Sequence, residues 1–458
     1  MTYRSRVATI YLCGFLIDLI NMFIASVAYP TIARSLHASV SELAWIGNGY
    51  IIGLTLVIPV SAWLTQRLGA RRLLLLSLSL FAFATLQCGL SESSGTLLFW
   101  RLIQGAGGGL LIPVGQALTW QLYGRHERAR LSAAVMLVAL LAPALSPVLG
   151  GWLVQLFSWR WIFFASLPLA LITLLLAFCW LKPHRHAAEK TGLDFLGLIA
   201  ACTGLFSLLF AMTQLSEAGK HWTSAGWLAA ALLCAVYFVR RSLRSASPLL
   251  DLKLTAEPLM RFSMLVYQFV PGLFIGVSLI AMLALQRIGF TAAETGALMM
   301  PWSLASLLAI ALTGKIFNRI GPGPLVAAGC LLQALGILLL AQITDSDRHT
   351  LAIASFLLMG AGGSLCSSTA QSSAFLAVDK GSLVQASALW NINRQLSFCF
   401  GTALLALLFN LLAGTYPLRQ AYQWTFYGAA TGTLLPLLLS FRMDNRAVKR
   451  LLTQPEKQ

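Results

Sequence analysis

Three ionisable side chains interrupt long apolar stretches of this sequence, and their types could bind a proton or a charged molecule. Asp18 is the acidic residue that lies deep inside such a stretch, and Arg101 and Arg394 are the corresponding basic residues. A buried charge is costly unless it is paired and hydrogen-bonded. These three side chains are therefore the first candidates for a function.

Asp18 has the chemistry of a proton carrier. Burial disfavours the ionised form of a carboxylic acid, and a neighbouring arginine favours it. An acid balanced between these effects can take up a proton and release it as its surroundings change. A structural ion pair or polar anchor is one alternative, and a counterion for a cationic substrate is another.

Arg394 has the chemistry of an anion ligand. Its guanidinium could bind an anionic substrate group or hold backbone carbonyls in place. Further candidate substrate contacts are polar or aromatic residues in apolar stretches, namely Asn391, Gln395, Tyr267, Gln268, Trp302 and Trp390. Tyr50 and Gln333 have the same character, and residues of this kind also serve as core packing.

The composition decides what kind of protein must position these residues. Of the 458 residues, 58% are hydrophobic and only 10% are charged, and the mean hydropathy is +0.78. A soluble domain carries about 25% charged residues, and a water-soluble chain could not hide so many apolar side chains. We infer an all-α, polytopic membrane protein. The histidines and cysteines have no metal-site spacing, so we expect no metal and no cofactor.

A membrane-spanning helix needs about 20 apolar residues, and fourteen segments of the sequence approach this length. They are residues 7–29, 43–64, 73–90, 96–119, 131–154, 160–181, 194–214, 223–239, 262–285, 295–313, 323–343, 350–375, 385–411 and 422–441.

The basic residues in the loops indicate the orientation. With the N-terminus inside, most of the 32 lysines and arginines fall in cytoplasmic segments, as the positive-inside rule requires. Both termini are then cytoplasmic, and we expect a multi-pass protein of the cell inner membrane. The net charge of +17 is explained without a nucleic-acid partner.

An internal repeat indicates how the helices are arranged. Gly105-Ala-Gly107-Gly108 aligns with Gly360-Ala-Gly362-Gly363, and Gln116 then falls on Gln371. The repeat predicts two parallel six-helix halves around a central site. The predicted regions are an N-terminal half (1–181), a linker with two extra transmembrane helices (182–257), a C-terminal half (258–441) and a cytoplasmic tail (442–458).

Arg101 lies in the fourth predicted segment, which begins at the outer face of the membrane in this orientation. At 1.5 Å per residue it lies roughly 9 Å deep, with Asn21 at about the same depth and Asp18 one turn further in. Arg101, Gln104 and Gly105 share one helical face. We expect Asp18 and Arg101 to interact directly, through Asn21 or through water. The alternative is that Arg101 only packs beside the first helix.

Glycines, prolines and loop arginines could support a conformational change. One set lets helices bend and approach each other and comprises Pro143, Pro147, Gly150 and Gly151. A second set lies between the second and third segments and comprises Arg67, Gly69, Arg71 and Arg72. This loop could fix the topology or form a cytoplasmic latch. Arg67 and Gly69 recur in the second half as Arg319 and Gly321.

These motifs resemble those of the major facilitator superfamily and, within it, the fourteen-helix drug:proton antiporters of the EmrB/QacA type. The similarity lies in residues 62–72, 101–107, 142–151, 158–164 and 393–396. The resemblance implies the major facilitator fold, proton coupling through the Arg101 segment and an antiporter motif at residues 142–151. This sequence has Gln66 and Asn21 where the family has acids, and Ala142 and Ser146 where it has glycines.

The sequence thus predicts a proton-coupled secondary transporter that exports small amphipathic compounds, as in multidrug efflux, by alternating access. One deep carboxylate and two buried arginines also fit export of a siderophore or another anionic or neutral metabolite. An enzyme would need clustered catalytic groups and a sensor a sizeable output domain; the sequence indicates neither. The expected partners are a small-molecule substrate, protons and the lipid bilayer. Some relatives use a periplasmic adaptor, which nothing in this sequence indicates.

Overall fold

A computed structural model describes residues 2–38, 40–182, 192–215, 221–245, 248–290, 292–441, 443 and 445–453, and these residues form helices and no strand. The first helices, which we call the first half, are α1 (Tyr3–Ile24), α2 (Tyr29–Leu36), α3 (Val40–Leu68), α4 (Ala70–Leu90), α5 (Ser94–Leu122), α6 (Arg128–Leu156), α7 (Trp161–Phe164) and α8 (Leu167–Trp180). Two helices follow, α9 (Phe195–Leu215) and α10 (His221–Arg244), and we call the helices after them the second half. The remaining helices are α11 (Pro258–Tyr267), α12 (Leu273–Arg287), α13 (Ala292–Ala297), α14 (Met299–Ile320), α15 (Pro322–Leu340), α16 (His349–Ser373), α17 (Leu383–Ala413), α18 (Leu418–Thr433), α19 (Leu435–Phe441) and α20 (Asn445–Thr453).

Eleven helical segments in the described residues are long and apolar enough to cross a bilayer, and some of them join consecutive helices, as Pro258–Arg287 joins α11 and α12. Phe195–Ala211 is a shorter apolar helix. Large hydrophobic side chains face outward, as where lipid surrounds a protein; Trp152 is 66% exposed and Met300 75%. The prediction of an all-α, multi-pass membrane protein is confirmed. The number of fourteen crossings stays a prediction.

The packing of helices recurs between the two halves. Helices α3 and α4 both pack against α5, and α14 and α15 both pack against α16. The glycines that precede α4 and α15 have nearly the same φ, +81° at Gly69 and +87° at Gly321. Glycine enters this region of backbone conformation without steric cost. The same turn therefore occurs at the two positions that the internal repeat aligned.

Helix α17 joins the halves. It packs against α12 and α18 of its own half and against α3 and α5 of the other. Helices α6 and α14 form another contact between the halves. The extra helices α9 and α10 pack against each other, and α9 also packs against α3 and α17. The α9–α10 pair therefore lies alongside the interface between the halves.

A π-helical segment, Gln268–Gly272, joins α11 to α12 and contains Pro271. Proline has no N–H to donate, and a π turn accommodates the lost hydrogen bond. A Cβ at Gly401 of α17 would overlap the carbonyl oxygen of Gly272. This close approach packs the π-helical segment against α17.

The halves are held together at the end of the bundle where α5 ends and α6 begins, which we call the latch face. Arg128 is buried and donates from Nη1 to the carbonyl oxygen of Phe375 at 2.6 Å. Two further hydrogen bonds join the halves here, from Gln121 Nε2 to Lys380 O at 3.3 Å and from Asn318 Nδ2 to His126 O at 2.8 Å. The C-terminal helix α20 contributes Val448 and Leu452 to an apolar cluster with Ala129. The bundle is therefore closed at the latch face.

Candidate functional site

Asp18 of α1 is buried and is bound by a tyrosine from α3. The hydroxyl of Tyr50 donates a hydrogen bond to Asp18 Oδ1. The Tyr50 ring centroid lies 4.4 Å from Cζ of Arg101, a distance at which a guanidinium is attracted to a ring face. The ion pairs in the described part of the chain do not include Asp18. Tyr50 therefore connects the acid and the arginine that the sequence predicted to interact.

Arg101 is fully buried and is fixed by three acceptors. Its Nε donates to Ile46 O at 3.3 Å, and its Nη1 donates to Asn21 O at 3.2 Å and to Gln104 Oε1 at 2.9 Å. Gln104 Nε2 donates in turn to Asn21 Oδ1 at 3.0 Å and to Thr85 Oγ1 at 2.7 Å. The structure thus brings Asn21, Arg101 and Gln104 into one network. Thr85 belongs to it as well, although its sequence context is an ordinary apolar helix.

The absence of a side chain at Gly108 makes room for Asp18. A Cβ at this position would overlap Asp18 Oδ1 and lie 3.1 Å from Tyr50 Oη. Within the described residues, Asp18 Oδ2 has no hydrogen-bond partner. Helix α5 therefore approaches α1 closely, and the carboxylate keeps one oxygen available for a proton or a ligand.

Arg394 reaches the same region from α17, in the other half. Its Cζ lies 5.0 Å from the ring centroid of Phe15, and it interacts electrostatically with Asp18, as Arg101 does. The residue is only 6% exposed, yet none of the described residues accepts a hydrogen bond from its guanidinium. A buried charge is normally paired and hydrogen-bonded, so Arg394 retains the capacity to bind an anionic group.

Six aromatic residues form a continuous row between the halves, which we call the aromatic bridge. Neighbouring ring centroids are 5.1 to 6.2 Å apart. In order, the members are Phe15, Tyr11, Trp120, Phe375, Trp390 and Tyr267. The contact between Trp120 and Phe375 crosses from one half to the other. Of these residues, only Tyr267 and Trp390 were candidates from the sequence.

The two glutamines related by the internal repeat are both bound by α17. Asn391 Nδ2 donates to Gln116 Oε1 of α5 at 2.7 Å. Trp390 Nε1 donates to Gln371 Oε1 of α16 at 2.7 Å. Consecutive residues of one helix therefore hold equivalent positions in both halves.

The remaining candidate substrate contacts lie in different surroundings. Gln395 is buried beside Arg394 in the sequence of α17. Gln268 accepts a hydrogen bond from Ser397 Oγ at 2.9 Å. Trp302 stacks on Phe274, with 5.2 Å between ring centroids, and these two rings belong to the second half. The structure describes no ring contact between Trp302 and the aromatic bridge.

Two of the three loop arginines, Arg67 and Arg71, contact their own half in this arrangement. Arg67 lies with Cζ 5.3 Å from the ring centroid of Trp63. Arg71 Nη2 donates to Phe178 O at 2.9 Å, and Arg72 is exposed. The described hydrogen bonds between the halves at the latch face come from other residues, which no sequence motif singled out.

The glycines of the predicted α6 motif differ from each other. A Cβ at Gly150 would lie 2.9 Å from Ile24 Cγ1, whereas a Cβ at Gly151 would meet nothing within 4 Å. Gly150 therefore allows α6 to approach α1. Pro143 and Pro147 are part of the α6 backbone, and the structure does not describe their side chains.

Comparison with known proteins gives consistent matches over the chain. The family model described as Major Facilitator Superfamily matches residues 11–402 and 264–457. The chain is 29% identical over 397 residues to "Multidrug resistance protein B homolog" of Mycobacterium tuberculosis (strain ATCC 25618 / H37Rv), covering 85% of this chain and 73% of that protein. It is 29% identical over 412 residues to "Drug efflux pump JefA" of Mycobacterium tuberculosis (strain CDC 1551 / Oshkosh), covering 88% and 80%. A crystal structure of a double Trp XylE mutant matches with a TM-score of 0.69 at 15% identity over 98% of each chain.

Proposed function

Because the chain belongs to the major facilitator superfamily and is a transporter rather than an enzyme, we propose that it exports small amphipathic compounds in exchange for protons. The observation that carries the proposal is Asp18, a buried acid with one oxygen bound by Tyr50 and one oxygen without a partner among the described residues. The names of the relatives, which include a drug efflux pump, support the substrate class.

Asp18 and Arg394 lie in different halves, and this separation supports a coupling mechanism. Ionised Asp18 attracts the Arg394 guanidinium across the interface. Protonation removes that attraction, so the free energy of closing the halves around the site changes with the protonation state. One proton moving down 100 mV supplies about 2.3 kcal/mol, enough for roughly a fiftyfold gradient of a neutral substrate.

We place the latch face at the cytoplasm, with both termini there, and the protein in the cell inner membrane. The concentration of basic residues in the loops at this face supports the orientation. The closed latch face then corresponds to a state that opens away from the cytoplasm. Opening to the cytoplasm breaks contacts such as Arg128 to Phe375 O and Asn391 to Gln116.

We further propose fourteen crossings, as in the EmrB/QacA-type antiporters, and the domain limits predicted from the repeat. Helices overlap each of the apolar segments predicted from the sequence, which supports this number. The region of residues 182–257 then adds the α9–α10 pair to two six-helix halves.

A second candidate function is export of a siderophore or another anionic or neutral metabolite, and Arg394 favours it. Its guanidinium is buried without a described protein acceptor and lies over Phe15, at one end of the aromatic bridge. A carboxylate bound by Arg394 and a flat apolar body packed on the aromatic rings would satisfy both features.

The experiment that tests these functions is an export assay in a deletion strain complemented with the gene. Retention of cationic dyes and of anionic metabolites is compared with and without an ionophore that collapses the proton gradient. Proton-coupled drug efflux predicts gradient-dependent export of the dyes; the second candidate predicts export of the anions. Equal retention of both classes in the deletion and complemented strains would contradict both functions.

A further inference from the structure

The C-terminal end of α10 carries three arginines around an open cavity. It lies near the latch face, since Ser242 Oγ donates to Leu250 O and Asp251 N donates to Gln385 Oε1 near the start of α17. The cavity has a volume of about 440 Å³ and is lined by Arg240, Arg241, Arg244, Tyr237 and Ser245. Arg240 and Arg244 are exposed, and their i, i+4 spacing puts them on one face of the helix. In the most apolar 18-residue stretch of this helix, only 11% of the residues are buried. The cavity therefore opens toward the surrounding bilayer rather than toward the centre of the bundle.

One of the three arginines is neutralised within the protein, and it fixes the cavity wall. Arg241 Nε donates to Asp194 Oδ1 at 2.6 Å. The same oxygen accepts from Gly197 N at 2.9 Å and so caps the start of α9. Asp194 thereby ties the ends of α9 and α10 together. In the described part of the chain no carboxylate pairs with Arg240 or Arg244, so these residues leave the two positive charges of the cavity uncompensated.

The same face of α10 is apolar and exposed immediately before the arginines. Leu233 is 71% exposed, Val236 40% and Tyr237 46%, and their spacing continues the row formed by Arg240 and Arg244. In a bilayer such a row contacts acyl chains, and arginines at the end of a helix lie at the level of the headgroups. A cationic cavity next to this apolar row is complementary to an anionic phospholipid, which has a negatively charged headgroup next to apolar acyl chains.

We propose that this cavity binds the phosphate-bearing headgroup of an anionic phospholipid from the leaflet at the latch face. Arg240 and Arg244 donate to the phosphate oxygens, for which the planar guanidinium is well suited. Leu233 and Val236 contact an acyl chain of the same lipid. Basic pockets between membrane helices bind anionic headgroups in this way.

The test measures lipid binding to the purified full chain in a neutral detergent, by native mass spectrometry and by thermal unfolding. The probes are phosphatidylglycerol, phosphatidylcholine and inorganic phosphate. We expect phosphatidylglycerol to bind and the other two not to bind in the same concentration range. The double variant Arg240→Gln/Arg244→Gln should bind phosphatidylglycerol about 30-fold more weakly, since each basic residue near an anionic surface contributes about a fivefold factor.

The matched control is Lys315→Gln/Arg319→Gln, which removes two exposed basic residues at the same i, i+4 spacing from α14. It should bind phosphatidylglycerol like the unaltered protein. The single variant Arg240→Gln disturbs the chain least and should bind about fivefold more weakly. The proposal is overturned if the single variant keeps its affinity, if both double variants lose affinity equally, or if inorganic phosphate binds as tightly as the lipid.

Discussion

Tyr50 donates its hydroxyl hydrogen to the carboxylate of Asp18, which lies on a different helix. The ring of the same tyrosine lies 4.4 Å from the guanidinium carbon of Arg101. The tyrosine therefore contacts the acid through its hydroxyl and the arginine through its ring. Protonation of Asp18 removes a negative charge close to Tyr50 and Arg101, although no ion pair joins Asp18 to Arg101 among the described residues.

The first prediction concerns the Tyr50 hydroxyl. Tyr50→Phe removes the hydrogen bond to Asp18 and keeps the ring beside Arg101. A hydrogen bond to a charged group contributes about 1.5–3 kcal/mol, so we expect the free energy of unfolding in detergent to fall by an amount in this range. Tyr50→Leu should cost more, because the ring contact with Arg101 is also lost. Tyr416→Phe, at an exposed tyrosine, is the control; equal stability of Tyr50→Phe and the unaltered protein would contradict the contact.

The features that sequence reasoning predicted depend on local spacing. Asn21, Arg101 and Gln104 were recognisable because polar groups in apolar helices are costly and therefore rare. Tyr50 was a candidate substrate contact, but its contacts with Asp18 and Arg101 were not predicted, and neither was most of the aromatic bridge, because these contacts depend on which helix faces meet. In a membrane protein, lipid-facing and core-facing surfaces are equally apolar. Hydropathy consequently predicts where Trp120 lies along its helix but not that it contacts Phe375.

The second prediction compares two neighbouring glycines of α6. Gly150→Ala should destabilise the protein by about 1–3 kcal/mol, the usual cost of overpacking, because the new methyl group would lie 2.9 Å from Ile24 Cγ1. Gly151→Ala should be neutral or stabilising by up to about 1 kcal/mol, since alanine favours a helix. Thermal unfolding of the two variants measures the difference. The reverse order of stability would show that α1 and α6 do not pack as described.

The third prediction concerns the hydrogen bond between Gln116 and Asn391. Each residue is replaced by alanine, alone and together, and unfolding free energies are measured. We expect a coupling of about 1 kcal/mol, the typical contribution of one hydrogen bond. A control cycle pairs Asn391→Ala with Gln342→Ala, whose side chain binds Tyr427 instead, and should be additive. Additivity in the Gln116 and Asn391 cycle would contradict a tie between the halves at this point.

The fourth prediction concerns the charge of the substrate. If the substrate is anionic, Arg394→Gln should weaken its binding about 10- to 150-fold, because a hydrogen bond to a charged group contributes about 1.5–3 kcal/mol. Arg394→Lys should retain part of the affinity, and Arg419→Gln, at an exposed arginine, should retain all of it. Binding of cationic dyes should not fall in Arg394→Gln. A loss of dye binding with unchanged anion binding would exclude Arg394 as an anion ligand.

The most direct test of the proposed coupling is proton movement in proteoliposomes that contain the purified protein and a trapped pH-sensitive dye. An imposed proton gradient should drive uphill movement of the substrate, and a substrate gradient should move protons in the opposite direction. Asp18→Asn should still bind substrate but move no protons, while Asp347→Asn, at an exposed acid, should behave like the unaltered protein. Proton flux and gradient-driven accumulation that persist undiminished in Asp18→Asn would contradict the assignment of Asp18 as the coupling acid.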